Sequence, residues 1–107
     1  MADLLYSFCL RDPVEVIRFV RDHHELPLLL AEAKERIADV FGPRTPLILQ
    51  VVRDPEAEEH RPELSLFIET GLSVDEARAK LAKLDDGWWL DAMPRANGWL
   101  NIALEYV

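Results

Sequence analysis

The spacing of apolar positions changes along the chain and divides it into elements. From Pro13 to Asp22, Val14, Ile17, Phe19 and Val20 fall on a helical stripe. Asp12 is placed to receive the free N–H groups of the first turn, Pro13 suits the first helical position, and Glu15 stands where a capping-box acid belongs. His23, His24 and Glu25 break the stripe. A second helix opens near Pro27, with Leu26, Leu30, Ala33, Ile37, Val40 and Phe41 along one face. Gly42 and Pro43 stop it, since glycine accepts a left-handed cap and proline cannot continue a helix. The two helices read as an antiparallel pair. Residues 4–10 fit a short helix or a strand equally well.

From Pro46 the period becomes two. Leu47, Ile48, Leu49, Gln50, Val51 and Val52 form an apolar strand. The polar loop 54–62, bounded by Pro55 and Pro62, leads into a strand from Glu63 to Thr70. There Leu64, Leu66 and Ile68 share one face, and Ser65, Phe67 and Glu69 the other. A loop of this length pairs two strands antiparallel. Ser73 and Glu76 make a capping box, and Asp75 adds favourable charge at the helix start. Val74, Ala77, Leu81, Leu84 and Trp88 continue as a stripe facing the sheet. A turn-forming run from Met93 to Gly98 precedes the last strand, Trp99 to Tyr106. On it Leu100, Ile102, Leu104 and Tyr106 alternate with Asn101, Ala103 and Glu105.

The pattern predicts an α+β domain spanning residues 1–107. An N-terminal helix pair is followed by β-β-α-β, forming a small three-stranded, mainly antiparallel sheet covered by helices on one face. A crossover through the third helix makes the last strand parallel to the second. Placing it beside the first strand makes each neighbouring pair antiparallel, and that is the expected order. A sheet this small leaves edges that a second copy can cover, so a homodimer is expected.

Composition narrows the function classes. A chain of 107 residues supports one hydrophobic core, and 30% charged residues suit a globular protein. No apolar run reaches the roughly 18 residues of a membrane span. The start Met1-Ala2-Asp3-Leu4-Leu5 lacks the basic residues of a secretory signal, so a cytoplasmic location is expected. The single cysteine, Cys9, excludes an internal disulfide and a cysteine zinc cage. Set among Tyr6, Phe8 and Leu10, it reads as a small buried hydrophobe. The formal net charge is −8, and the 12 Lys and Arg are scattered, which argues against nucleic acid as a partner. Acidity keeps a protein soluble and also attracts a basic partner.

The candidates for chemistry are few. His23 and His24 are adjacent and point about 100° apart on a helix, so they do not share a metal easily and read as a solvated pair at the end of the first helix. His60 lies in the acidic loop with Glu56, Glu58 and Glu59, flanked by Arg53 and Arg61. Asp85, Asp86 and Asp91 form the strongest carboxylate group, but no Gly-rich loop or basic neighbour accompanies them. Capping and solvation account for them, with Asp85 placed to cap a turn carrying the tryptophans. Ser7, Ser65 and Ser73 lie in no nucleophile elbow, and the four glycines form no phosphate-binding fingerprint. No catalytic residue, metal site or cofactor is therefore assigned. Trp88 continues the buried stripe, while Trp89 is rotated away and expected to be half covered. With Asp91, Arg95 and Trp99 the pair outlines an interaction patch of the aromatic and arginine type. Packing against the last strand is the competing account of the same residues.

The runs Glu63-Leu64-Ser65-Leu66-Phe67-Ile68, Leu72-Ser73-Val74-Asp75-Glu76-Ala77 and Asp85-Asp86-Gly87-Trp88-Trp89-Leu90-Asp91 resemble small uncharacterised prokaryotic proteins. That group has a strand, a Leu-Ser-capped helix and a Trp-Trp-Leu-Asp segment followed by Arg and a final strand. The resemblance covers about half the chain. It implies a cytoplasmic prokaryotic setting and transfers no catalytic residue. Gly87 departs from the acidic residue expected there, which loosens the helix end. The sequence thus points to a non-enzymatic protein-interaction module, a homodimeric adaptor or a neutralising partner of a basic protein. The competing class is a metal-assisted enzyme using Asp85, Asp86 and Asp91 with His60. A structural subunit of a larger complex is the third.

Overall fold

A computed structural model of the chain describes residues 2–53 and 61–107. Its elements are α1 (Ala2–Leu5), β1 (Cys9–Leu10), α2 (Pro13–Asp22), α3 (Leu26–Phe41), β2 (Leu47–Val52), β3 (Glu63–Thr70) and α4 (Val74–Leu84). A π-helical turn (Asp85–Trp89), α5 (Leu90–Ala92) and a 3-10 turn (Met93–Ala96) lead into β4 (Leu100–Tyr106). Glu56, Glu58, Glu59 and His60 of the acidic loop lie outside the described residues.

Among the described residues the sheet is four-stranded and mixed, in the order β1-β2-β3-β4. β2 and β3 are antiparallel, whereas β1 runs parallel to β2 and β4 parallel to β3. This corrects the three-stranded, mainly antiparallel sheet. Cys9 and Leu10 pair with Ile48 and Leu49, so the outer side of β2 is occupied. β4 lies beyond β3, not beside β2. A strand of two residues is too short to display a period of two, which is why the pattern of apolar positions did not reveal it.

The N-terminal helix pair is also corrected. α2 packs chiefly on β2, and α3 packs on α4 and the 3-10 turn. The buried stripe of α2 is Val16, Phe19 and Val20, while Val14 and Ile17 face outward. On α3 the buried residues are Leu26, Leu29, Leu30, Ala33 and Ile37.

Register sorts the two faces of the sheet. Leu49, Leu66 and Ile102 form one cross-strand row, flanked by the rows Leu47-Ile68-Leu104 and Val51-Leu64-Leu100. These rows join residues of α1 to α5 in one core cluster or pack against it. The opposite face carries Ile48-Phe67-Ala103 and Gln50-Ser65-Asn101, with Glu69 beside Glu105. None of these belongs to the helix-covered cluster. Cys9 is exposed, because β1 holds it at the sheet edge and outside the core.

Local signals vary in outcome. Ser73 caps α4, its Oγ accepting from the Glu76 N–H at 3.2 Å. Asp12 does not cap with its side chain; it sits at φ 54°, and its carbonyl accepts from Val16 N–H. Asn97 and Gly98, both left-handed at φ 52° and 77°, turn the chain into β4. Ser73→Ala should cost about 1 kcal/mol of unfolding free energy, measured by urea denaturation with an unchanged m-value.

Candidate interaction site

The Trp pair sits where the long C-terminal helix departs from regular geometry. The Leu90 N–H reaches back five residues to the Asp85 carbonyl, so the turn from Asp85 to Trp89 is π-helical. The inserted residue resets the helical phase after Leu84. Trp88 and Trp89 then both face the core, 7% and 5% exposed, with ring centroids 5.4 Å apart. The expectation of a half-covered Trp89 assumed uninterrupted α geometry. Covering an indole removes 150–250 Å² from water, up to about 5 kcal/mol by area for each ring. Gly87 accepts this turn with open space around it; a Cβ there would meet nothing within 4 Å.

Glu32 on α3 ties the corner down. Its carboxylate accepts from both terminal nitrogens of Arg95, and from the Trp88 indole N–H at 3.4 Å. The Arg95 hydrogen bonds hold the Glu32 carboxyl below its usual range, burial opposing them in part. Asp85 is pushed up, first by burial and then by the adjacent Asp86 charge. Asp91 is exposed, as are Leu90 and Met93.

Trp99 belongs to a second cluster. It contacts His23, with centroids 4.1 Å apart, and lies edge-on to Phe19 at 5.8 Å. His23 stacks on Phe19 at 4.2 Å, and the Arg61 guanidinium carbon lies 3.5 Å from the Trp99 ring centroid. His23 Nδ1 is 2.7 Å from the Phe19 carbonyl, which can only accept, so Nδ1 carries the proton of this bond. Arg61 also donates to the Asn97 carbonyl at 2.6 Å. The stack fastens the end of α2 to the start of β4. Beside it lies a cleft of about 330 Å³ where Glu15 and Asp22 face Arg18 and Arg53. Arg53 pairs with Glu15 at 3.2 Å. Charges of both signs balance there, and no single ligand charge is selected.

The third feature lies on the sheet face away from the helices. Arg11, just after β1, reaches across the sheet to Glu105 on β4, donating to Oε2 at 2.8 Å and to Oε1. On the way it meets Gln50 Oε1 at 3.3 Å and passes 5.8 Å from the Phe67 ring centroid. Glu105 stands opposite Glu69 in the β3–β4 register. Among the described residues Glu69 makes no ion pair, because the one nearby guanidinium is engaged by Glu105.

The candidate residues thus fall into separate groups. Trp88, Trp89 and Arg95 meet at Glu32, while Trp99 joins Phe19, His23 and Arg61. Asp91 is exposed and outside both. His24 is exposed, but His23 is half-buried in a stack rather than solvated at a helix end. Among the described residues no three His, Cys, Asp or Glu side chains gather in a group able to hold a metal ion. Arg11, Glu32, Glu69 and Glu105 carry the polar organisation, and no local motif marks them. Their only prior signal was alternation, which puts Glu69 and Glu105 on the polar side of their strands. No family model, curated protein or solved structure matches the chain.

Two outcomes test the corner. Folding is favoured when Asp85 is protonated, because its folded pKa is raised. Asp85→Asn should therefore raise the melting temperature near about pH 7, and its advantage should shrink as pH falls below about 4. Gly87→Ala should stabilise by about 0.5–1 kcal/mol, read by denaturant unfolding.

Proposed function

We propose that the chain is a non-enzymatic protein-interaction module that binds a basic protein partner on the open face of its sheet. The observation that carries this reading is the Glu69–Glu105 pair with Arg11 as its only described counter-charge. Like charges directly opposite on neighbouring strands are unfavourable, and a cation from outside relieves the second carboxylate. Glu63 adds a third acid at the far end of the same face of β3. Between them Phe67 and Ala103, both half-buried, offer apolar surface for a contact centre rimmed by charge. The net charge of −8 draws a basic partner from a distance and speeds encounter.

No helix among the described residues is long and apolar enough to cross a membrane. A cytoplasmic, prokaryotic setting goes with this reading through the resemblance of the C-terminal half. The Trp corner then supports the module from behind: its indoles are spent on packing, and Asp91, Arg95 and the exposed Leu90 and Met93 are what it turns outward.

The test is capture on the immobilised chain from a lysate of the source cells, with the retained protein identified by mass spectrometry. A basic protein should be held at low salt and released near about 0.5 M salt, where screening is nearly complete. The chain with Glu69→Lys and Glu63→Lys should bind the same protein at least about ten-fold more weakly, a loss of about 1.4 kcal/mol. An acidic partner, or retention indifferent to both salt and the two substitutions, would overturn the reading.

A further inference from the structure

β4 is the outer strand of the sheet, and among the described residues nothing pairs with its free side. The Trp99 carbonyl accepts from Leu64 N–H at 2.7 Å, and Val107 N–H donates to the Thr70 carbonyl at 3.0 Å. Alternate residues of a strand bond to the same neighbour. The odd-numbered residues from Trp99 to Val107 therefore face β3. The N–H and C=O groups of Leu100, Ile102, Leu104 and Tyr106 point away from it. Edges of this length are commonly blunted by proline, lysine or a bulge. β4 contains no proline or lysine, and its register with β3 runs unbroken from Leu100 to Tyr106. Its single charge, Glu105, is engaged by Arg11.

We propose that β4 pairs antiparallel with β4 of a second copy, about a two-fold axis through Ala103, joining the two sheets into one. The strand complements itself about that residue. Ile102 lies opposite the copy's Leu104, Leu100 opposite its Tyr106, and Asn101 opposite its Glu105. The outward backbone groups then meet in hydrogen-bonded pairs at Ile102–Leu104 and Leu100–Tyr106. Ala103 faces itself in a non-hydrogen-bonded pair, where side chains come closest and a methyl group is accommodated. Glu105 faces an amide and not another carboxylate, which avoids the like-charge penalty. An axis between two residues would set outward groups against inward ones. An axis through Ile102 or Leu104 would leave one end of the seven-residue strand unpaired. The axis through Ala103 stands perpendicular to the sheet, so the two open faces lie on the same side and merge.

This pairing does not depend on the partner proposed above: mass and cross-linking read the edge, while salt-sensitive capture reads the face. Light scattering on the full chain should give twice the 12.3 kDa chain mass. With Cys9→Ser and Ala103→Cys together, oxidation should cross-link the dimer nearly completely. Facing Cα atoms of such a pair are about 4.5 Å apart, within disulfide reach. Cys9→Ser with Asn101→Cys should not cross-link, because the two cysteines would be roughly 13 Å apart along the strands. Tyr106→Pro removes an outward N–H and leaves the β3 ladder whole; a folded monomer, checked by circular dichroism, is expected. A wild-type chain that stays monomeric, or a dimer that Ala103→Cys fails to cross-link, would overturn the proposal.

Discussion

Leu64, Leu66 and Ile68 on β3 have no exposed surface, and the rest of the molecule is arranged around their parity. β3 is an interior strand, with β2 antiparallel on one side and β4 parallel on the other. A slip of one residue would turn all three side chains from core to open face, each forfeiting about 1.5–3 kcal/mol of burial. Their placement fixes which residues of β2 and β4 lie under the helices. It equally fixes what faces the other way. Ser65, Phe67 and Glu69 are outward because Leu64, Leu66 and Ile68 are inward. The acidic pair on the open face is thus a consequence of the core.

The helical layer is closed by indoles more than by charge. Burial of Trp88 and Trp89 outweighs what a partly exposed ion pair supplies, since such pairs are screened and cost side-chain entropy. Glu32 has a directional role: it receives the Trp88 N–H and the Arg95 fork together, and so aligns α3 with the segment leading into β4. The raised pKa of Asp85 shows a carboxylate tolerated at some cost because the π-helical turn turns both indoles inward. The Trp99 stack performs the corresponding task at the other end of that segment. Both aromatic clusters anchor connections and leave the open face and the β4 edge uncovered by any described helix.

Much of this was legible wherever a pattern repeats over several residues. Leu26, Leu30, Ala33 and Ile37 of α3, Ala77, Leu84 and Trp88 of the stripe begun on α4, the alternation of β3 and of the start of β4, and the Ser73 cap appear in the sequence as they stand in the molecule, whereas Val74 and Tyr106 are exposed and Leu29 is buried. What escaped was short or non-local. Cys9 and Leu10 pair with a strand nearly forty residues away, and two residues carry no period. Without β1 the side of β2 looks vacant and β4 is expected there; β1 fills it, and β4 lies beyond β3. The phase of Trp89 is not legible in the sequence, because a single π turn shifts every later position and has no local marker. His23 was assigned to solvent from its place at a helix end, while its real neighbour, Trp99, arrives from the far end of the chain. The reach of Arg11 to Glu105 spans 94 positions and is invisible to any window of sequence.

That long reach links the two surfaces of the sheet that face outward. Arg11 begins at the β1 edge and ends on β4, crossing the β2 and β3 strands between them. Its hydrogen bonds hold the Glu105 carboxyl below the usual glutamate range. A depressed acid contributes stability above its unfolded pKa and loses it as pH falls through the folded one, so the strap stays closed through neutral and mildly acidic solution. While it is closed, Glu105 brings little net charge to the β4 edge, and a second strand can approach. Glu69, its register partner, makes no ion pair among the described residues and lies on the open face. One guanidinium thereby divides two adjacent carboxylates between different tasks, one quieting an edge that has to pair and the other marking a face that has to attract.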